Sequence, residues 1–375
     1  MSTRTLTPRA PAHRDGPARG AHTPWRHALR TAVLAAIAVC IVLLAFAWPS
    51  VTAKVQNLPV AAVGTPEQVA QVTSKAPAGA LDVRTAASRD EAVELIRTKE
   101  AYGAVILGNA PEVLIASAAS PAAAQALTQV GQQMQSQIQA QVIARLQEAL
   151  GQAAQHSAQG PGPAAPQSPA AQQAPQAATP TVAVTDVAPL SPDDPRGTGL
   201  AVAGLPLAMG GMIGGVLISL LVSGTWRRLG AITAYGVLAG LGLAGILQGW
   251  FHILQGSFWA NAGAIGLGVV ATAAIIVGLN ALLGRPGLAL GAVITLFVGN
   301  PLSSLTQPKE FLPAPWGDVG QWLVPGASGT LLRDLSYFPE ASAQFPWLVL
   351  AGWAVVGAVL IAVGHFRNEP AVAEV

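Results

Sequence analysis

Apolar and polar positions sort this chain into blocks. One uncharged apolar run spans Leu29 to Trp48, a long polar stretch covers Pro49 to Thr198, and five further apolar runs lie between Leu200 and His365. Each run is about 20 residues long, enough to cross a hydrocarbon core of ~30 Å as a helix. The pattern predicts a polytopic α-helical membrane protein with six transmembrane helices.

Inside the polar stretch the period changes to that of a small α/β domain over residues 49–150. Leu58–Val63, Leu81–Thr85, Tyr102–Leu107 and Val113–Ala116 read as strands. Thr65–Ser74 reads as a helix because Pro66 suits a first helical position. Ser88-Arg89-Asp90-Glu91 matches a capping box, and Ala92, Val93, Leu95 and Ile96 supply an apolar face behind it. From Pro121 a long Gln/Ala helix is predicted to end near Leu150. Its apolar stripe (Leu127, Val130, Met134, Ile138, Val142, Leu146, Leu150) fits either packing on its own domain or a coiled-coil contact with a second subunit. Residues 151–180 are Ala/Gln/Pro-rich without period and read as a linker. Residues 181–198 contain a candidate return strand, Thr181–Val187, and the approach to the membrane.

Composition agrees with the membrane assignment and charge orients it. Hydrophobic residues make up 51% of the chain and charged residues 10%, against about 25% charged in soluble domains. A net charge of +2 gives no reason to expect nucleic-acid binding. Arginines fill the tail before the first run. Arg227 and Arg228 lie between the second and third, Arg285 between the fourth and fifth, and Arg367 after the last. The positive-inside rule places all four segments, and so both termini, in the cytoplasm of a multi-pass plasma-membrane protein. The α/β domain between helices 1 and 2 is then extracellular. Residues 1–28 form a basic cytoplasmic tail, 29–48 the first helix, 199–365 a five-helix membrane domain with an outer loop over 307–345, and 366–375 a second tail. Cys40 is the only cysteine, so an intramolecular disulfide is excluded. The first run exceeds the usual signal-peptide core of ~7–15 residues and reads as a retained anchor, despite the Ala45-Phe46-Ala47 cleavage-like motif.

Candidate chemistry in the membrane block is sparse. Gly210, Gly211, Gly214 and Gly215 offer small-xxx-small helix contacts, and Gly236 and Gly240 repeat the spacing on the next run. The five C-terminal runs contain no Asp, Glu, Lys or Arg, which leaves no evident ion relay. Gln248, Asn280 and Asn300 remain as polar residues for a pathway or for helix packing. Arg227 and Arg228 form a candidate partner-coupling loop. No phosphate-binding glycine loop and no His-Glu-x-x-His helix occurs, so no catalytic residue, cofactor or metal is assigned. Gly326-Ala327-Ser328-Gly329 matches the surroundings of the serine in rhomboid-type intramembrane proteases, a minor alternative that depends on Ser328.

Leu58-Pro59-Val60-Ala61-Ala62-Val63, Tyr102-Gly103-Ala104-Val105-Ile106, Gly299-Asn300-Pro301-Leu302-Ser303-Ser304 and Gly320-Gln321-Trp322-Leu323-Val324-Pro325-Gly326 carry a resemblance. With Asp194-Pro195-Arg196-Gly197 and Leu332-Arg333, they resemble type-2 ABC exporter permeases, especially the phage-infection-protein-like (Pip/YhgE-like) actinobacterial members. The resemblance implies export or an envelope role, a homodimer and an ATPase subunit at the cytoplasmic loops. The chain is thus expected to be a non-enzymatic permease-like subunit for an amphiphilic or lipid-like substrate. The alternative is a non-transporting receptor or envelope scaffold that uses the extracellular domain.

Overall fold

The computed structural model describes residues 25–108, 110–158 and 181–368. Most of the basic tail, the heart of the Ala/Gln/Pro-rich linker and the last residues lie outside that range. The chain divides into two compact units, Met1–Leu44 and Ala45–Val375. Helix α1 (Trp25–Thr52) is apolar along most of its length and supplies the described part of the first unit.

The second unit begins with a five-stranded sheet. Strands β1 (Leu58–Val63), β2 (Leu81–Thr85), β3 (Gly103–Ile106), β4 (Glu112–Ile115) and β5 (Ala183–Asp186) lie in the order β2-β1-β3-β4-β5. β1 pairs in parallel with β2 and β3 because helices α2 (Pro66–Lys75) and α3 (Arg89–Arg97) form the crossovers. The short β3–β4 link makes that pair antiparallel, and β5 joins the β4 edge in parallel. Thr65 closes a full capping box with Gln68 at the start of α2. At α3 the box is offset by one residue: Ser88 accepts from the Glu91 N–H, while the Glu91 carboxylate accepts from Ala87.

Strand pleating distributes the core over both faces of the sheet. Ala61, Ala104 and Leu114 point to one side with Ala92 and Ile96, and Phe338 packs among them. Leu58, Val60, Val105 and Val113 point to the other with Leu127, and Phe311 packs there. Each face therefore receives a phenylalanine from the far C-terminal part of the chain. That explains why the α/β module and the helical bundle form one compact unit.

Among the described residues five helices are long and apolar enough to cross a membrane, and the protein is mostly helical. They are α1, α5 (Thr198–Leu221), α6 (Thr225–Ala244, continued as a π-helix to Trp250), α7 (Phe258–Leu283) and α11 (Gln344–Asn368). The expected fifth of six runs is shorter. α8 (Arg285–Ala292) passes into a π-helical turn, Val293–Gly299, giving 15 residues, or about 22 Å at the α-helical rise. Asn300-Pro301 ends it, since proline cannot continue the hydrogen-bond ladder. The expected outer loop 307–345 is also largely helical, with α9 (Trp316–Gln321) and α10 (Val324–Tyr337).

α7 is the hub of the bundle: 78% of its apolar window is buried, against 18%, 22% and 28% for α5, α6 and α11. A helix apolar on every face is stable only when surrounded, and α5, α6, α8, α10 and α11 surround it. Helix α4 (Pro121–Ala158) covers the sheet and runs eight residues past Leu150, into the stretch read as linker.

Candidate functional site

The joint between module and bundle starts at the end of α3. There Lys99 donates its N–H to the Ile96 carbonyl and Glu100 donates to Leu95. This pair of bonds is a Schellman cap, whose left-handed position ordinarily holds glycine. Here Lys99 occupies it, with φ +61°. Left-handed backbone costs a non-glycine residue on the order of 1–3 kcal/mol.

The Lys99 side chain explains the choice. Its ammonium reaches the Asp334 carboxylate on α10 and stands 5.8 Å from the centre of the Phe338 ring. Only 21% of the Lys99 side chain and 5% of the Asp334 side chain stay exposed. Burial pushes the Lys99 ammonium below its ordinary pKa and the Asp334 carboxyl above its own, while their mutual attraction opposes both shifts. Beside them the Tyr102 hydroxyl donates to Glu310 at 3.0 Å, and burial raises the phenol further out of the physiological range. Arg333 donates to the Leu305 carbonyl at 2.8 Å, its pKa lowered by burial. Lys99 and Tyr102 of the module thus engage Asp334 and Glu310 of the bundle in one polar joint, with Arg333 beside them. The Lys99–Asp334 and Tyr102–Glu310 contacts are not legible from spacing, because their partners lie more than 200 residues apart. The available signal is Arg333-Asp334 itself, a charge pair set among Leu331, Leu332 and Leu335.

Arg227 and Arg228 lie in the first turn of α6 rather than in a loop; only Val222–Gly224 separates α5 from α6. Arg227 is exposed. Arg228 donates to the Val222 carbonyl at 2.8 Å and to the Ser219 carbonyl at 3.4 Å, capping the C-terminus of α5. The other end of α5 is held by Asp194, which accepts from the N–H groups of Thr198 and Gly199.

The glycines of α5 stand against two neighbours. Gly214 faces the Tyr235 ring of α6, whose hydroxyl donates to the Gly210 carbonyl at 2.7 Å. Gly211 and Gly215 face Thr272 and Ala273 of α7, at distances that leave little room for a side chain. Gly236 and Gly240 of α6 meet Gly266 of α7 backbone to backbone.

The three polar candidates separate. Gln248 donates to the Gly256 carbonyl and accepts from Asn261, clasping the π-helical end of α6 to the start of α7. Asn280 is half-buried near the C-terminus of α7. The buried Oδ1 of Asn300 has no hydrogen-bond partner among the described residues. Ser328 lines a cavity of about 40 Å³ with Gly268 and Thr272, and among the described residues no titratable side chain lines it. His252 is exposed on the α6–α7 connection. No family model, curated protein or solved structure matches this chain.

Proposed function

We propose that this chain is the permease-like membrane subunit of an export or cell-envelope system. It moves an amphiphilic or lipid-like molecule, and a separate partner supplies the energy. In this reading both termini are cytoplasmic and the α/β module stands outside. The short Arg285–Gly299 helix takes the place of the fifth of six spans, α9 and α10 belong to the outer segment, and the protein works as a homodimer without enzymatic chemistry of its own.

The observation that carries the reading is the joint. A module held on both sheet faces by Phe311 and Phe338, and tied by Lys99 to Asp334, is mechanically continuous with α10. α10 in turn packs on the buried hub α7. Chains of packed and hydrogen-bonded groups of this kind carry coupling across a protein. Displacement of the module then reaches the bundle core through one short helix. Among the described residues, no Asp, Glu or Lys lies within the spans to act as a proton relay, and a separate partner as the energy source agrees with that.

A second reading, a non-transporting receptor or scaffold, is favoured by one feature. Ile143, Leu146 and Leu150 on the far half of α4 are exposed and offer a contact to another protein. A photocrosslinking residue at Arg227, followed by affinity purification in mild detergent, separates the readings. A stoichiometric nucleotide-binding subunit crosslinked there supports the exporter. Crosslinks confined to a second copy, with protein partners only on the module, overturn it in favour of the scaffold.

A further inference from the structure

Between α2 and α4 the module carries a partly open cavity of about 420 Å³. That lies within the range of roughly 300–1,000 Å³ typical of small-molecule sites. Its floor is the sheet core itself, with Leu58 and Leu127, extended by Val130, Met134 and Ile138 of α4. Val72 of α2 forms the facing wall. The polar lining is of one kind. Gln129, Gln133, Gln137 and Gln141 recur every fourth residue, one rung per turn of α4, and Gln71 faces them from α2. Among the described residues no Asp, Glu, Lys, Arg or His lines the cavity.

We infer that this groove binds the apolar chain of an uncharged amphiphile, with the glutamine amides meeting the hydroxyl or amide groups of its head. Three observations select that occupant. The lining offers a charged head no counter-charge, so a carboxylate or phosphate drawn into the groove would lose hydration without compensation. Amides both donate and accept, which suits neutral polar groups. The glutamine ladder spans twelve residues of helix, on the order of 18 Å. A lipid chain spans about half of the ~30 Å hydrocarbon core, so the lengths agree. The groove is also placed to receive such a chain: Val55 lines it, three residues after the apolar helix Leu29–Thr52 ends. The ligand's identity as cargo rests on the permease reading. Chain binding does not, and it is measured without transport.

The test uses the full chain in phosphatidylcholine nanodiscs. These are doped with a monoacylglycerol carrying a diazirine in its acyl chain or, in parallel, with the matching fatty acid at alkaline pH. After irradiation, labelled peptides are mapped by mass spectrometry. The expected result is saturable monoacylglycerol labelling within Ala126–Gln141 and Gln71–Leu81, competed by unlabelled monoacylglycerol and weaker for the fatty acid. Val130→Trp with Met134→Trp fills the floor, and labelling there falls about tenfold while labelling of the apolar helices stays constant. Should that variant not fold, Gln133→Glu on the exposed rim serves instead, and labelling falls by a similar factor. The inference is overturned if only the apolar helices are labelled, or if neither folded variant changes groove labelling. It also fails if an apolar peptide, and not monoacylglycerol, displaces the probe. Groove binding with no nucleotide-binding partner at Arg227 would retain the site and discard the exporter.

Discussion

Lys99 and Asp334 lie 235 residues apart in the chain and form one buried ion pair at the joint between the sheet module and α10. The lysine holds a left-handed backbone that glycine would adopt without strain, so its side chain, not its backbone, accounts for its presence. The pair sits beside Phe338, which completes one face of the module core. Polar fastening and apolar fastening therefore coincide on one short helix.

Removing one partner of a buried pair leaves the other charge uncompensated. Lys99→Ala is expected to destabilise the module–bundle joint by about 3–5 kcal/mol, and Asp334→Ala by a similar amount. Joint replacement, Lys99→Met with Asp334→Leu, should recover most of the loss, because the desolvation cost disappears with the charges. Thermal unfolding of the purified protein in one detergent tests this. Equal stability of the double variant and the worse single variant would show that the pair is not the relevant contact.

A second ion pair makes stability depend on acid. Arg89 bridges to Glu112 at 2.8 Å, and Thr185 of β5 donates to the same carboxylate at 2.6 Å, tying α3, β4 and β5 together. The hydrogen bond from Arg89 chiefly holds the Glu112 carboxyl below its ordinary pKa. A depressed folded pKa means that the stabilisation is present above the unfolded value and lost as pH falls through the folded one. Glu112→Gln should therefore lower the melting temperature near neutrality, by an amount equivalent to about 1 kcal/mol or less given the exposed arginine. Below the folded pKa the two proteins should melt together. A gap that persists unchanged into strong acid would assign the effect to packing.

The module was legible to within a few residues because its signals are local. Leu58–Val63 and Leu81–Thr85 are bounded by turn residues, and Pro66 and Ser88 mark helix starts by their own chemistry. The apolar runs were legible for the same reason. The Arg285–Gly299 helix was not, because hydropathy registers Val293 to Val298 as membrane-like and does not register that Asn300-Pro301 stops the helix short. Burial of Lys99 against Asp334, and the seating of Phe311 and Phe338 on opposite sheet faces, depend on long-range packing that no period encodes. The groove was half legible: the α4 stripe was visible, but not that α2 stands off from it and leaves a cavity.

The contact of α5 with α6 offers a sharper test of packing. A side chain at Gly214 would enter the space of the Tyr235 ring. Gly214→Leu should cost about 1–3 kcal/mol by overpacking. Tyr235→Ala opens that space but removes the bond to the Gly210 carbonyl, and alone should also destabilise. Combined, the two should be less damaging than the sum of the single changes, because the cavity of one receives the bulk of the other. Simple additivity would mean that these residues do not share the interface.

Arg227 and Arg228 are neighbours with different work, so they separate structural from partner roles. Arg228 satisfies two carbonyls at the end of α5, and a cation there also complements the helix dipole. Arg228→Ala should cost about 1 kcal/mol in thermal stability, whether or not a partner exists. Arg227 is exposed, with no hydrogen bond or ion pair among those described, and Arg227→Ala should leave the melting temperature within about 0.5 kcal/mol of the parent. If a nucleotide-binding subunit docks at this turn, Arg227→Ala weakens its co-purification without touching stability. Loss of the partner with Arg228→Ala alone would instead trace the docking surface to the shape of the α5 terminus.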